Sequence, residues 1–221
     1  MLILTLAASM LGPSSFSPDI TNPFLPMPVG TTFLYEGQSD GESMSNSVVI
    51  TADTKLINGV TTREVLDDVY VNGHLEERTK DWYAQDSLGN VWYFGEDTAE
   101  LDVNGNVIST EGTWTAGVGG AQAGIIMEAH PHKGDFYHQE LLTGVAEDVA
   151  TVLTTSLNKK IRVPYGTFAC CLVTEEFTPL EPKVYEDKYY ARNVGFIYST
   201  MKQGGKETLA LVSITNNNLK P

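Results

Sequence analysis

At 221 residues the chain has room for one sizeable hydrophobic core, and 28 Asp and Glu against 14 Lys and Arg give a formal net charge of −14. The acids are scattered along the chain and form no tail. A field of that sign repels phosphate backbones and anionic lipid surfaces, so nucleic acid is excluded as an expected partner.

The N-terminus, Met1-Leu-Ile-Leu-Thr-Leu-Ala-Ala-Ser-Met-Leu11, is an apolar run about as long as a signal-peptide core, with small residues at Ala7 and Ser9 suited to cleavage. It is too short to span a bilayer as a helix, and it lacks a positively charged n-region. Residues 1–18 are therefore read as a signal-peptide-like or disordered segment, with an apolar tail or first strand as the other reading. Residues 19–221 are read as a single β domain, and export would place it in the periplasm or outside the cell. No Cys follows the apolar run, so no lipid anchor is expected there.

From Thr31 onward, short β-branched and aromatic runs alternate with Asn, Asp and Gly, the spacing of an antiparallel sheet. Asn72-Gly73 and Asn104-Gly105 mark hairpins, because a type I′ turn needs positive φ at both central residues, and Ser87-Leu-Gly-Asn90 marks another. Together they predict a meander of at least four strands between about residues 62 and 110. Inside it, Asp81-Trp82-Tyr83 and Val91-Trp92-Tyr93-Phe94-Gly-Glu96-Asp97 become neighbours, with Trp114 following. One face of these strands is core. On the other, aromatic rings beside carboxylates would stack on a sugar or enclose an apolar ligand, and Trp82, Trp92, Tyr93 and Trp114 are the predicted ligand-binding residues. Asp102-Val-Asn104-Gly-Asn106 alternates oxygen ligands but fits a turn better than a calcium loop.

Gly117 to Gly124 is a flexible connection, a crossing loop or a lid. After it comes the sharpest chemical candidate, Glu128-Ala-His130-Pro-His132-Lys-Gly-Asp135-Phe-Tyr137-His138-Gln-Glu140. If Lys133-Gly134-Asp135 forms a hairpin loop, His130 faces His138, Glu128 faces Glu140, and His132 joins them by period-2 alternation. His130, His132, His138 and Glu140 would then suit Zn²⁺ or another divalent ion, with Tyr137 or Glu128 as acid or base. The competing reading is a strand entrance, because Pro26 to Glu36 and His130 to Glu140 share a Gly, an aromatic residue and a Glu at matching offsets, and Val163 to Phe168 repeats the opening of that entrance once more. Ala146-Glu-Asp-Val-Ala-Thr-Val-Leu153 is the one candidate for a short helix. Cys170 and Cys171 are adjacent in a predicted strand and point to opposite faces, a geometry that does not suit an ordinary disulfide.

Val163-Pro-Tyr-Gly-Thr-Phe168 and Tyr189-Tyr-Ala-Arg-Asn-Val-Gly-Phe-Ile197 resemble a pattern of bacterial exported and lipoprotein-type β-sheet proteins. Such proteins often open on a strand like Pro26-Met-Pro-Val-Gly-Thr-Thr-Phe-Leu-Tyr-Glu36. The resemblance implies a half-open or closed antiparallel barrel, similar to lipoprotein carriers, whose concave face holds an apolar ligand. It implies no catalytic residue.

The fold expected is all-β: a single antiparallel, strongly curved sheet or barrel with at most one short helix. Three function classes stay open at this point. The first is an exported, soluble binding or envelope-accessory protein with an aromatic-lined cavity for a small apolar or saccharide ligand. The second is a metal-dependent lyase or hydrolase built on the histidine cluster, and the third is a purely structural or adhesive surface protein, which the even scatter of acids permits. The first needs no cofactor and the second needs a divalent metal, Zn or Ca. The sequence leaves the oligomeric state open, and no membrane span is expected.

Overall fold

The computed structural model describes residues 12–216, so the apolar run before Gly12 lies outside the described residues. A 3-10 turn at Pro13–Ser15 leads into β1 (Phe16–Ser17). The long strands follow: β2 (Thr31–Ser39), β3 (Glu42–Ile57), β4 (Val60–Val71), β5 (His74–Asp86) and β6 (Val91–Leu101). Shorter pieces come next: β7 (Val107–Ser109), β8 (Trp114–Thr115), β9 (Gln122–Met127), β10 (Phe136–His138) and β11 (Glu140–Leu141). The chain ends with β12 (Val149–Thr154), β13 (Ile161–Val163), β14 (Gly166–Phe168), β15 (Leu172–Phe177), β16 (Tyr185–Ala191), β17 (Gly195–Gln203) and β18 (Glu207–Asn216). Among the described residues there is no α-helix, and no helix long and apolar enough to cross a membrane.

All pairings are antiparallel, and the sheet runs β10-β12-β15-β16-β17-β18-β2-β3-β4-β5-β6-β9-β11, with β13 and β14 forming a separate hairpin. The two ends of this path are β10 and β11, which are consecutive pieces of one run of chain. Its start pairs with β12, Tyr137 opposite Ala150, and its end pairs with β9, Glu140 opposite Ala123. That run draws the sheet nearly closed into a barrel, which leaves few unpaired edges. Gly124 makes the seam possible: a Cβ there would lie 2.3 Å from the Gln139 carbonyl oxygen and 2.5 Å from that of His138.

The long meander follows from its turns. Asp40-Gly41, Asn58-Gly59 and Asn72-Gly73 each have positive φ at both residues, as two-residue hairpins require. Asn104-Gly105 differs from expectation. Only Gly105 has positive φ, and the turn is wider, with the Asp102 amide bonded to the Asn106 carbonyl at 2.9 Å. The Asp102 carboxylate also accepts the Asn104 and Asn106 amides at 2.9 Å each, so its oxygens are spent on the turn.

Three further expectations change. Val149–Thr154 is a strand, because β-branched Val149, Thr151, Val152 and Thr154 favour the pleat and both β10 and β15 pair with it. Val163-Pro-Tyr-Gly166 is the tight turn of the β13–β14 hairpin, not a strand entrance. Cys170 and Cys171 lie in the break between β14 and β15, not within a strand; Cys170, at φ 55°, is exposed and Cys171 is buried.

One end of the barrel is stoppered by the irregular segment 18–29. Ile20, Phe24 and Met27 are buried, and Ile20 bridges Met27. Asn22 anchors it: its side-chain amide donates to the carbonyls of Gly89 (2.9 Å) and Glu128 (3.0 Å), and its oxygen accepts the Phe24 amide at 2.8 Å. Gln85 Oε1 accepts the amides of Thr21 and Asn22 at 2.8 Å each. Across the opening, the Asn193 amide donates to the Pro23 carbonyl at 2.6 Å. The stopper thus ties the β5–β6 turn to the β16–β17 turn, which lie at the same end.

Candidate functional site

Period-2 alternation decides which side chains face inward. On β4 these are Val65, Asp67 and Val69; on β5, Glu77, Thr79, Asp81 and Tyr83; on β16, Glu186, Lys188 and Tyr190; on β18, Glu207 and Leu209. They line a lumen of about 550 Å³. The register gives this lumen a polarity along its axis. Strands β5 and β16 both run from the open end towards the stopper, so Glu77 and Glu186 lie near the rim, Asp81 and Lys188 midway, and Tyr83 and Tyr190 deeper. Leu25 and Met27 of the stopper complete the floor with Tyr35 and Phe196. Their rings lie 5.1 Å apart, and the Tyr35 hydroxyl donates to the Phe196 carbonyl at 3.2 Å.

Above that apolar floor the wall is acidic. Among the described residues nine carboxylates face the lumen (Asp67, Glu77, Asp81, Glu96, Glu140, Asp148, Glu176, Glu186 and Glu207) against a single lysine, Lys188, so the charge is far from balanced. Lys188 is already engaged, with Nζ 2.8 Å from Glu176 and 3.6 Å from Glu186. The other oxygen of Glu176 accepts the hydroxyls of Thr174 (2.8 Å) and Tyr190 (3.3 Å). Burial alone would lower the lysine pKa, but the carboxylates of Glu176 and Glu186 outweigh it and hold Lys188 charged.

Among the described residues the opposite wall has no such cation within ion-pair distance. Asp81 and Glu96 are directly paired across β5 and β6, and one phenol, Tyr93, reaches both, at 2.5 Å and 3.1 Å. A phenol has one proton to give, so the two carboxyl groups either share it or one of them carries a proton of its own. Asp67 accepts the Asn46 amide. Burial pushes Asp67 up to about 6, against the Asn46 hydrogen bond, and Glu96 up to about 7, against Tyr93 and Thr98. Asp81 and Glu140 are raised by burial first, and then by Asp67 and Glu96 respectively. Tyr83 stacks on Tyr93 at 4.7 Å, and Trp114 meets Tyr93 edge-on at 5.3 Å. Asp67, Asp81, Glu96 and Glu140 form a collar above the floor, and near it Gln139 is 3 % exposed, with no hydrogen-bond partner for its Nε2.

Of the four aromatic residues expected to bind ligand, Tyr93 faces the lumen and the three tryptophans do not. Strand alternation sends the neighbours of Tyr83 and Tyr93 the other way. Trp82 is buried under Lys55, whose Nζ lies 3.3 Å above the ring. Trp92 donates to Asp86 at 2.9 Å and packs against Phe16 at 6.1 Å. Trp114 is buried behind Tyr93, on a short strand that pairs with β6.

The histidine hairpin does not form, because β10 pairs with β12 and not with residues 130–132. His130 and His132 are exposed, with His132 held to Asp135, while half-buried His138 faces a separate small pocket with Trp92 and Gly124. Glu140 lies in the lumen wall. Among the described residues no three His, Cys, Asp or Glu side chains come together to hold a metal ion. Glu128 and Tyr137 are both buried and outside the lumen lining. Burial, then Asp135, pushes Glu128 up to about 8, and burial raises Tyr137.

Two solved structures are similar in shape. One is a Bacteroides fragilis protein described as exported and having a YmcC-like fold, with 14% identity, TM-score 0.49, and coverage of 89% of this chain and 100% of that one. The other is a Parabacteroides distasonis protein described as a lipoprotein, with 12% identity, TM-score 0.48, and coverage of 88% and 99%. No protein-family model matches the sequence, and no curated protein matches it.

Proposed function

We propose that this chain is an exported binding protein that holds one small amphiphile in its barrel lumen, tail against the floor and donor-rich head in the collar. The observation that carries the reading is the polarity of the lumen: about 550 Å³ with an apolar floor at the stoppered end and carboxylates towards the rim. That volume lies within the range of small-molecule sites, which are typically ~300–1,000 Å³. Carboxylates accept hydrogen bonds and donate none when ionised, so a head rich in N–H or O–H groups fits the wall, and an anionic head is repelled.

An environment-sensitive apolar naphthylamine probe tests this directly. The purified protein should enhance its fluorescence saturably, with one probe per chain. Leu209→Trp narrows the lumen from β18 and should weaken probe binding while the protein stays folded by circular dichroism. Unchanged probe affinity in the narrowed variant would place the site elsewhere and end the reading.

A further inference from the structure

We propose that the head group recognised in the collar is a protonated amine with an oxygen acceptor close by, held by Asp67, Asp81, Glu96 and Glu140 with Gln139 beside them. The proposal rests on the lumen being the binding site and goes further by naming the ligand's chemistry.

Three observations lead to it. The strand register sets like charge against like inside, Asp81 opposite Glu96 and Glu176 opposite Glu186. Such pairs are destabilising unless something cationic lies between them. Lys188 does that for Glu176 and Glu186, at 2.8 and 3.6 Å. Among the described residues no Lys, Arg or His forms an ion pair with Asp67, Asp81, Glu96 or Glu140. The wall therefore has one cation place filled by the protein and a second, around the Tyr93 hydroxyl, that a ligand ammonium would fill in the same way.

The second observation is independent of charge. Gln139 is 3 % exposed, lines the lumen, and leaves its Nε2 without a partner. A buried amide donor without an acceptor costs free energy, so a ligand oxygen there would be gained at little desolvation cost. An ammonium alone would leave this donor unmet, whereas an amino alcohol or aminoacyl head would meet it.

The third is the ring stack. Tyr83 lies 4.7 Å from Tyr93, both rings face the lumen, and the face of an electron-rich ring attracts a cation.

Displacement of the naphthylamine probe by decylamine, decan-1-ol and decanoate at pH 8 and low salt tests the assignment. 2-Aminodecan-1-ol serves as the amine-plus-oxygen competitor. The expected order is amino alcohol, then amine, then alcohol, with decanoate weakest. The amine should lead the alcohol by at least about tenfold, the scale of a charge-assisted hydrogen bond. Glu96→Gln and, separately, Glu140→Gln should weaken amine binding more than alcohol binding and so narrow the amine's lead, and the use of two variants means that a folding defect in one does not decide the matter. Equal affinity for amine and alcohol would overturn the cation assignment and leave the lumen as the site. Saturable probe binding that none of the four compounds displaces would overturn the assignment, and failure of the probe itself to bind would remove both readings together.

Discussion

The empty barrel should lose stability as the pH rises from 5 to 8, the reverse of the trend in a protein whose buried acids are paired with bases. Asp67 titrates near its ordinary 3.8 when the chain is unfolded and at about 6 in the barrel, and Glu96 moves from 4.5 to about 7. Between those values the folded state holds protons that the unfolded state has released, so stability is fully present below pH ~4 and falls as pH climbs through the folded values. One pH unit of displacement corresponds to ~1.4 kcal/mol, so between pH 5 and 8 Asp67 taken alone costs the barrel ~1.4 kcal/mol and Glu96 ~3 kcal/mol. The two costs do not add fully, because both groups belong to one collar. For a chain of this size a loss of ~3 kcal/mol lowers the unfolding midpoint by ~10 °C. Thermal unfolding followed by circular dichroism at constant ionic strength, from pH 5 to 8, measures it. Glu96→Gln should flatten the slope and exceed wild type in stability at pH 8. A midpoint that stays level or rises in wild type, or an unchanged slope in the variant, would show that the collar is ionised and hydrated in the folded state.

Gly124→Ala should open the seam: the new Cβ meets the carbonyl oxygens of Gln139 and His138 at 2.3 and 2.5 Å, and backbone cannot step aside as a side chain can. A loss of ~3 kcal/mol in urea unfolding is expected, and a loss under ~0.5 would mean that β9 and the β10–β11 run are loosely joined. Lys188→Met strands two buried carboxylates and should cost ~3 kcal/mol at pH 8. Adding Glu176→Gln should recover much of that loss, and a double-mutant cycle with no coupling would show that the pair at 2.8 Å contributes nothing.

The architecture was legible because its signals are local. Asn72-Gly73 fixes its turn by φ alone, and the β-branched and aromatic runs around it alternate as a sheet requires. The same grammar was present at Asp40-Gly41 and Asn58-Gly59. The segment from Ala146 read as a helix candidate because its acids suit a helix N-terminus, and pairing on both sides by β10 and β15 overrode that preference. The histidine cluster failed for a related reason: which strand takes β10 as its neighbour is settled by long-range closure, and the Lys-Gly-Asp turn does not decide it. The aromatic residues were placed on the right strands, but adjacent Trp and Tyr must part to opposite faces, and only the register tells which face is the lumen. The collar was only partly legible. Asp67 shares parity with Val65 and Val69, and Asp81 with Tyr83, so alternation puts these acids inside, whereas acids ordinarily face water.

The two faces of the sheet treat charge differently, and the difference bears on function more than any one residue does. Outside, each close acid has a base within reach: Arg78 lies across from Asp68 and grips it with two hydrogen bonds of 2.8 and 3.0 Å, and the acids Glu175 and Asp187, paired by the register, share Lys202, which bonds to Glu175 and lies 3.5 Å from Asp187. Inside, the same ladders put Asp81 against Glu96 and Glu176 against Glu186, where lower polarity makes repulsion stronger. Selection for stability alone would fill an interior with apolar side chains or with matched pairs, as the floor and the outer face show this sequence can do. Local conflict with folding tends to concentrate where a protein does its work. In the reading proposed above, the unmatched part of the collar, around Tyr93 and Gln139, is where a ligand would complete the structure, and a bound cation would stabilise the barrel most at the pH where the empty one is weakest.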